Sequence, residues 1–284
     1  METLFSQILG TIILRPYFIG FLLAYFLACS LHLGCKRAVL FAFAGYVIAW
    51  ASEYSSIHTG IPYGRYSYTC LTKGRELWLA GVPFMDSMSF VFLSYASYSL
   101  ALFALSPAVV GGYLLENRKI RHSLGVRLLG AFFCMCLDVI IDPAALRGDR
   151  WFLGQIYGYA DKNGFYFGIP VSNFIGWFVV GFLLILALQL IDRLLGARRD
   201  LSGSTYTWRY LPGPAIYLGV VIFNLSVTFY IGEYELLRVG IFLVFLPLVL
   251  LVSFMRISLR GIAPDKAIEA HLQDFPWAVV PGRD

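Results

Sequence analysis

The sequence predicts an all-α protein, a polytopic membrane helix bundle of about seven transmembrane helices with an internal pseudo-repeat. Three observations carry that prediction. Hydrophobic residues make up 59% of the 284 residues and charged residues only 14%, at a mean hydropathy of +0.72, whereas soluble domains carry about 25% charged residues. Apolar segments of about 20 residues, the length that crosses the hydrocarbon core, recur along the chain. Twice, an apolar run ends on an acid, passes through a Gly- and Tyr-rich loop, and re-enters apolar sequence through Gly-Val-Pro or Gly-Ile-Pro followed by a polar side chain.

The first span is expected at 8–30. It holds Arg15-Pro16, and with no Lys or Arg ahead of it does not read as a cleavable signal peptide, so it is expected to be retained. The second, 38–53, ends on Glu53 and opens the first loop, His58-Thr59-Gly60-Ile61-Pro62-Tyr63-Gly64-Arg65-Tyr66-Ser67-Tyr68. Gly81-Val82-Pro83 and Asp86 lead into the third, 87–105. The apolar stretch 107–115 either extends that span or dips back into the bilayer, which would make eight. The fourth, 124–141, meets the second loop at Asp138 and Asp142-Pro143; Trp151 and Tyr157-Gly158-Tyr159 follow. The fifth, 169–190, starts at Gly168-Ile169-Pro170 with Ser172-Asn173, and the sixth and seventh fall at 214–230 and 237–255. Glu53 to Gly81 is 28 residues and Asp142 to Gly168 is 26, closer spacing than two unrelated loops would share. The chain reads as one membrane domain, 1–284, with a polar tail at 256–284 that forms a short interfacial helix near 264–273 and places Pro276-Trp277 at the headgroups.

Charge orients the bundle. With seven spans, 14 of the 22 basic residues fall on one side, from Lys36 and Arg37 to Arg283. The positive-inside rule makes that side cytoplasmic and turns both motif loops away from the cytoplasm. The net charge of +5 is accounted for by basic loops near anionic headgroups and asks for no nucleic acid. The five cysteines lack metal-ligand spacing and read as small apolar residues, and His32, His58, His122 and His271 are scattered, so no metal is expected.

Chemistry falls to the acids, which are costly at the edge of lipid. Asp138 and Asp142, four apart on a helix, share one face, and two like charges in low dielectric leave at least one protonated at neutral pH, the state of a general acid. Glu53 holds the equivalent end of the second span and Asp86 opens the third. If the half-motifs pack side by side, these acids converge at one depth. The structural alternative is that Glu53 and Asp142 merely terminate helices and pair with Arg65, Arg147 or Arg150. The loop glycines, Gly158 among them, permit close approach or unusual dihedrals. Tyr63, Tyr66, Tyr68, Tyr157, Tyr159 and Tyr166 add flat faces with a hydroxyl at the rim, and such faces stabilise a cation by roughly 0.5 to 2 kcal/mol each, with Tyr63, Tyr66 and Tyr157 as the candidates. A desolvated proton donor beside aromatic rings suits protonation of an isolated alkene, whose intermediate is a carbocation that water captures. His58 would relay protons or polarise that water.

At these residues the chain resembles the carotenoid biosynthesis membrane proteins of the CruF and bisanhydrobacterioruberin hydratase type. Glu53, His58 to Tyr66 and Gly81-Val82-Pro83 resemble one block; Asp138, Asp142-Pro143, Gly158, Tyr166 to Pro170, Ser172-Asn173-Phe174 and Gly176-Trp177 resemble a second. The resemblance implies a cofactor-independent hydratase that adds water across the terminal 1,2 double bond of an acyclic carotenoid end and leaves a tertiary hydroxyl. It implies a membrane-dissolved carotenoid and the lipid bilayer as partners, and leaves other carotenoid-pathway enzymes open. Read from the chemistry, Asp138 or Asp142 is the proton donor, Glu53 orients or deprotonates water, and Asp86, Asn173 and His58 give polar support, with Arg65 and Trp177 as further substrate contacts. A cyclase or isomerase using the same cation, or a small-solute transporter, remains the alternative; transporter acids belong near mid-membrane, whereas these lie at span ends.

Overall fold

The computed structural model describes residues 3–109, 113–161, 164–196, 209–259, 264–276 and 278–280. Helix α1 covers Leu4–Leu14, α2 Pro16–His32, α3 Cys35–Thr59, α4 Phe84–Leu105, α5 Arg118–Arg121, α6 Leu124–Ala145, α7 Val171–Leu195, α8 Pro212–Tyr230, α9 Tyr234–Ser258 and α10 Pro264–Asp274. Six of these are long and apolar enough to cross a membrane, and α1 with α2 makes a seventh if that bent pair is one span. Two short ribbons sit in the loops: β1 (Tyr66–Tyr68) pairs with β4 (Tyr157–Tyr159), and β2 (Trp78–Leu79) with β3 (Val82–Pro83).

The first expected span, 8–30, is corrected. It breaks at Arg15, where α1 turns 92° away from α2. Pro16 has no backbone N–H and its ring crowds the preceding turn, so it starts a new helix instead of continuing the old one. Arg15 therefore lies at the bend between two helices and not within one continuous helix. Its guanidinium is 1% exposed and forms a bidentate pair with Glu76 (Nε–Oε2 2.9 Å, Nη2–Oε1 2.8 Å), while Nη1 donates to the Leu153 carbonyl. One arginine thus ties the helix break to both motif loops. Of the two readings of the apolar stretch 107–115, extension of the third span is corrected: α4 ends at Leu105, and Ala108 bridges Leu114 antiparallel. Pro107 cannot donate the backbone bond that a longer helix needs.

The expected halves form the centre of the bundle. Helices α3 and α4 flank the first loop, α6 and α7 the second, and the four pack against one another with α4 innermost, its apolar window 78% buried against 22% for α9. Both loops emerge at the same end, where β1 and β4 join them antiparallel. The first loop also crosses the start of α7. A Cβ on Gly176 would stand 2.6 Å from the Tyr63 ring, and Gly64, at φ +93°, leaves no room for one beside Ser172 Oγ at 2.8 Å. Gly158, expected to serve in the same way, has no atom within 4 Å of such a Cβ and no positive φ, because it faces outward across from Ser67.

Charge collects at the opposite end in matched pairs. Asp192 accepts from Arg37 Nε at 2.6 Å and Arg121 Nε at 2.7 Å, and Glu116 from Arg121 Nη1 at 2.7 Å with His32 Nε2 at 2.9 Å. The tail helix α10 covers this end, burying Ile268 and Phe275 with Tyr113 and Leu115. Trp277, expected at the headgroups, lies outside the described residues.

Candidate active site

Three acids line one cavity at the motif-loop end, and each meets loop tyrosines. On α3, Glu53 accepts from Tyr68 Oη at 3.3 Å and from Ser87 Oγ at the start of α4. On α6, Asp142 accepts from Tyr157 Oη at 2.6 Å and Tyr159 Oη at 2.8 Å. Asp86, one residue before Ser87, faces Tyr68 as well. The i, i+4 spacing on α6 puts Asp138 behind Asp142, and Asn173 of α7 clamps the two: its Nδ2 lies 2.6 Å from Asp138 Oδ2 and 2.9 Å from Asp142 Oδ2. One amide nitrogen thus holds an oxygen of each carboxyl group, which sets the two acids side by side. Asp138 is fully buried and does not line the cavity.

The tyrosines reach the acids because a strand repeats every two residues. Tyr66 and Tyr68 fall on one face of β1, Tyr157 and Tyr159 on one face of β4, and the register Tyr66↔Tyr159 and Tyr68↔Tyr157 brings all four together. Their rings meet edge to face, Tyr66 lying 5.7 Å from Tyr157 and 5.9 Å from Tyr159. Burial, reinforced by the nearby carboxylates, pushes these hydroxyls well above the ordinary tyrosine value of 10.0, so they stay neutral. Glu53 and Asp142 thereby sit across from each other under one tyrosine ribbon.

The cavity measures about 140 Å³. Glu53, Asp86, Asp142 and Asn173 form its polar wall; Tyr63, Tyr66, Tyr157, Phe90 and Trp177 continue it, the last two stacked at 4.2 Å. Of the residues singled out from sequence, two lie elsewhere. His58 is exposed and bonded through Nδ1 to the Tyr54 carbonyl at 2.7 Å, and Arg65 is exposed, so neither reaches the cavity. The arginine pairing considered for the acids is also corrected: Arg147 and Arg150 pair with Glu233, at the turn between α8 and α9. Among the described residues no cluster of three or more His, Cys, Asp or Glu is placed to hold a metal ion.

Sequence reasoning passed over Ser87 and, although it counted Tyr68 and Tyr159 among the loop tyrosines, did not pair them with the acids; the Tyr-x-Tyr alternation of both loops is a strand signal. It also passed over Tyr17 and Phe21 of α2 and Phe223 and Asn224 of α8, which close the cavity's far side. Nothing in the chain marks those four, since hydropathy gives the length of a span and not which face it turns inward.

Comparison with known proteins places this arrangement. The family model described as "Carotenoid biosynthesis protein" matches residues 5–247. The chain is 30% identical over 167 residues to the bisanhydrobacterioruberin hydratase of Haloarcula japonica, an alignment covering 58% of this chain and 50% of that protein. The chain thus spans about half the length of that curated relative. No solved structure matches it.

Proposed function

This chain belongs to the carotenoid biosynthesis protein family, and from that premise we propose that it hydrates the acyclic end of a membrane-dissolved carotenoid, without a cofactor. The observation that carries the reading is the clamped Asp138, Asp142 and Asn173 set opening onto an aromatic cavity opposite Glu53. Two carboxyl groups gathered on one amide in low dielectric are stabilised by sharing a proton. Asp142, the member that lines the cavity, delivers it to carbon 2 of the terminal double bond, and the π pair forms the new C–H bond. The positive charge develops on carbon 1, where two methyl groups and the chain make a tertiary cation. Faces of Tyr63, Tyr66 and Tyr157 and the stacked Phe90 and Trp177 stabilise it.

Water then adds at carbon 1. Glu53, an acceptor for Tyr68 and Ser87 on the opposite wall, orients the water and takes its proton. Return of that proton to the aspartate pair through the intervening tyrosine hydroxyls, which both donate and accept, closes the cycle. Asp86 supports the polar wall on the Glu53 side. The position of the acids, within a few turns of one end of their helices, favours an enzyme over a transporter, whose sites lie near mid-membrane.

The test is expression in cells that accumulate an acyclic carotene, with pigments analysed by mass spectrometry. A product heavier by one water, absent from cells carrying the Asp142→Asn variant, is expected. Unchanged pigment from the intact chain would refute hydration of that carotene, and a cyclised or isomerised product of unchanged mass would show the same cation quenched without water.

A further inference from the structure

We propose that the substrate's end reaches the acids sideways out of the bilayer, through the seam between α2 and α8, and that the rest of the polyene stays in lipid during the reaction. The inference rests on the carotenoid reading above and adds a route to it. Size comes first. At about 140 Å³ the cavity is well below the roughly 300–1,000 Å³ that encloses a drug-sized ligand, so it has room for the terminal isoprenoid end but not for a long conjugated chain. The remainder must leave the cavity somewhere, and an apolar polyene leaves most favourably into hydrocarbon.

Among the described residues, one wall offers that exit at membrane depth without crossing a polar layer. The tyrosine ribbon, with both loops stapled by Arg15, roofs the cavity at the motif-loop end. Towards α3, α4, α6 and α7 the walls are the packed centre of the bundle. Between α2 and α8 the wall is a stack of rings: Tyr17 lies parallel to Phe223 at 5.4 Å, and Phe21 meets Phe223 edge to face at 6.0 Å. All three line the cavity and are only half-buried. The stack continues outward through Trp151 to Phe152, which is 60% exposed. Phe21 and Phe223 carry no hydrogen-bonding group, so ring contacts alone hold them and a sliding polyene replaces those contacts with equivalent ones.

Depth agrees. Phe21 lies five residues from the start of α2 and Phe223 seven from the end of α8, which at 1.5 Å per residue puts them about 8 to 11 Å inside the motif-loop end. That is within the hydrocarbon half-thickness of about 15 Å and level with Glu53. Neighbouring Leu23 and Ile222, 64% and 58% exposed, mark the flanking faces as lipid-facing.

Gly219 of α8 gives a test that leaves the cavity lining alone. A Cβ there would stand 3.6 Å from Phe21 Cε1, ordinary contact, so Gly219→Ala fits while Gly219→Leu fills the seam and pins the ring. Gly20 of α2 has nothing within 4 Å, so Gly20→Leu adds the same bulk to the same bilayer away from the seam. Turnover is measured on an acyclic carotene in liposomes and on a short alkene with the same end group but no polyene. The expected result is a loss of about tenfold or more for Gly219→Leu on the carotene, with the short alkene and Gly20→Leu each within about twofold of the unaltered protein. Undiminished carotene turnover in Gly219→Leu overturns the portal, and so does an equal loss on both substrates, which would place the damage in the pocket instead of the route. Absence of any hydration by the unaltered protein is a separate outcome: it removes the hydratase reading on which the portal rests.

Discussion

At the residue scale the proposal divides the acids by what surrounds them. Asp142 has donors on both oxygens and opens on the cavity; Asp138 accepts from Asn173 at Oδ2, and its Oδ1 is buried with no donor among the described residues. If the pair shares the transferred proton, Asp142→Asn removes the group that delivers it and Asp138→Asn the group that holds it in place. General acid catalysis contributes about 10²–10⁴-fold, so Asp142→Asn is expected to cost at least about 10²-fold in turnover, with a smaller loss for Asp138→Asn, while both variants still insert. Full activity in both would end the assignment; pigment turnover and membrane-fraction yield decide it. Tyr159→Phe keeps the ring and deletes one bond to the carboxylate, and a fall of about tenfold with an unchanged melting temperature is expected. His58 gives the opposite expectation. Its ring stacks on Tyr54 at 4.3 Å outside the cavity, so His58→Ala should retain turnover within about twofold, and a larger loss would restore the relay role its sequence position suggests.

At the scale of elements, the Arg15 staple decides whether the two loops meet over the acids. Arg15 and Glu76 are each 1% exposed and joined by two hydrogen bonds, so removing either partner strands the other in a buried site. Breaking such a pair costs about 3–5 kcal/mol, whereas replacing both partners by apolar residues of similar volume is often neutral. Arg15→Met and Glu76→Met alone should therefore lower the detergent melting temperature markedly, and the double variant should recover most of the loss; additive losses would mean that the staple is not the coupling. How far the sequence reveals these elements follows from the same physics. The two acid-to-Gly-x-Pro segments are legible because residue types repeat along the chain, and their convergence at one end follows from span parity once seven spans are counted. The staple is not legible, since a hydropathy window averages Arg15 into an apolar run and the partner lies 61 residues away. The β1 and β4 ribbon is half legible: Tyr-Ser-Tyr and Tyr-Gly-Tyr alternate visibly, but three residues are too few for a periodicity argument until the partner strand is known.

For the whole molecule, span count and the pairing of the two halves are written in hydropathy and repeat spacing, while the contributions of α2 and α8 to the cavity depend on azimuth, which near-uniform apolar helices do not encode. That hidden part determines the behaviour towards a carotenoid with two acyclic ends. One cavity of about 140 Å³ admits one end, and the chain has one clamped aspartate pair, so the second end must be presented after the first has left. The hydrated end now carries a hydroxyl, which is costly to drag back through an apolar seam and settles more favourably at the headgroups. Turning the molecule to offer its other end therefore requires release into the bilayer. A time course on a symmetric acyclic carotene should show the product of one hydration accumulating first and the doubly hydrated pigment forming from it after a lag. Diluting labelled starting carotene with unlabelled monohydrate during the reaction should dilute the label in the final product. If doubly hydrated pigment forms without lag and without dilution, both ends are processed in one encounter, and the end-in-pocket, polyene-in-lipid arrangement is wrong.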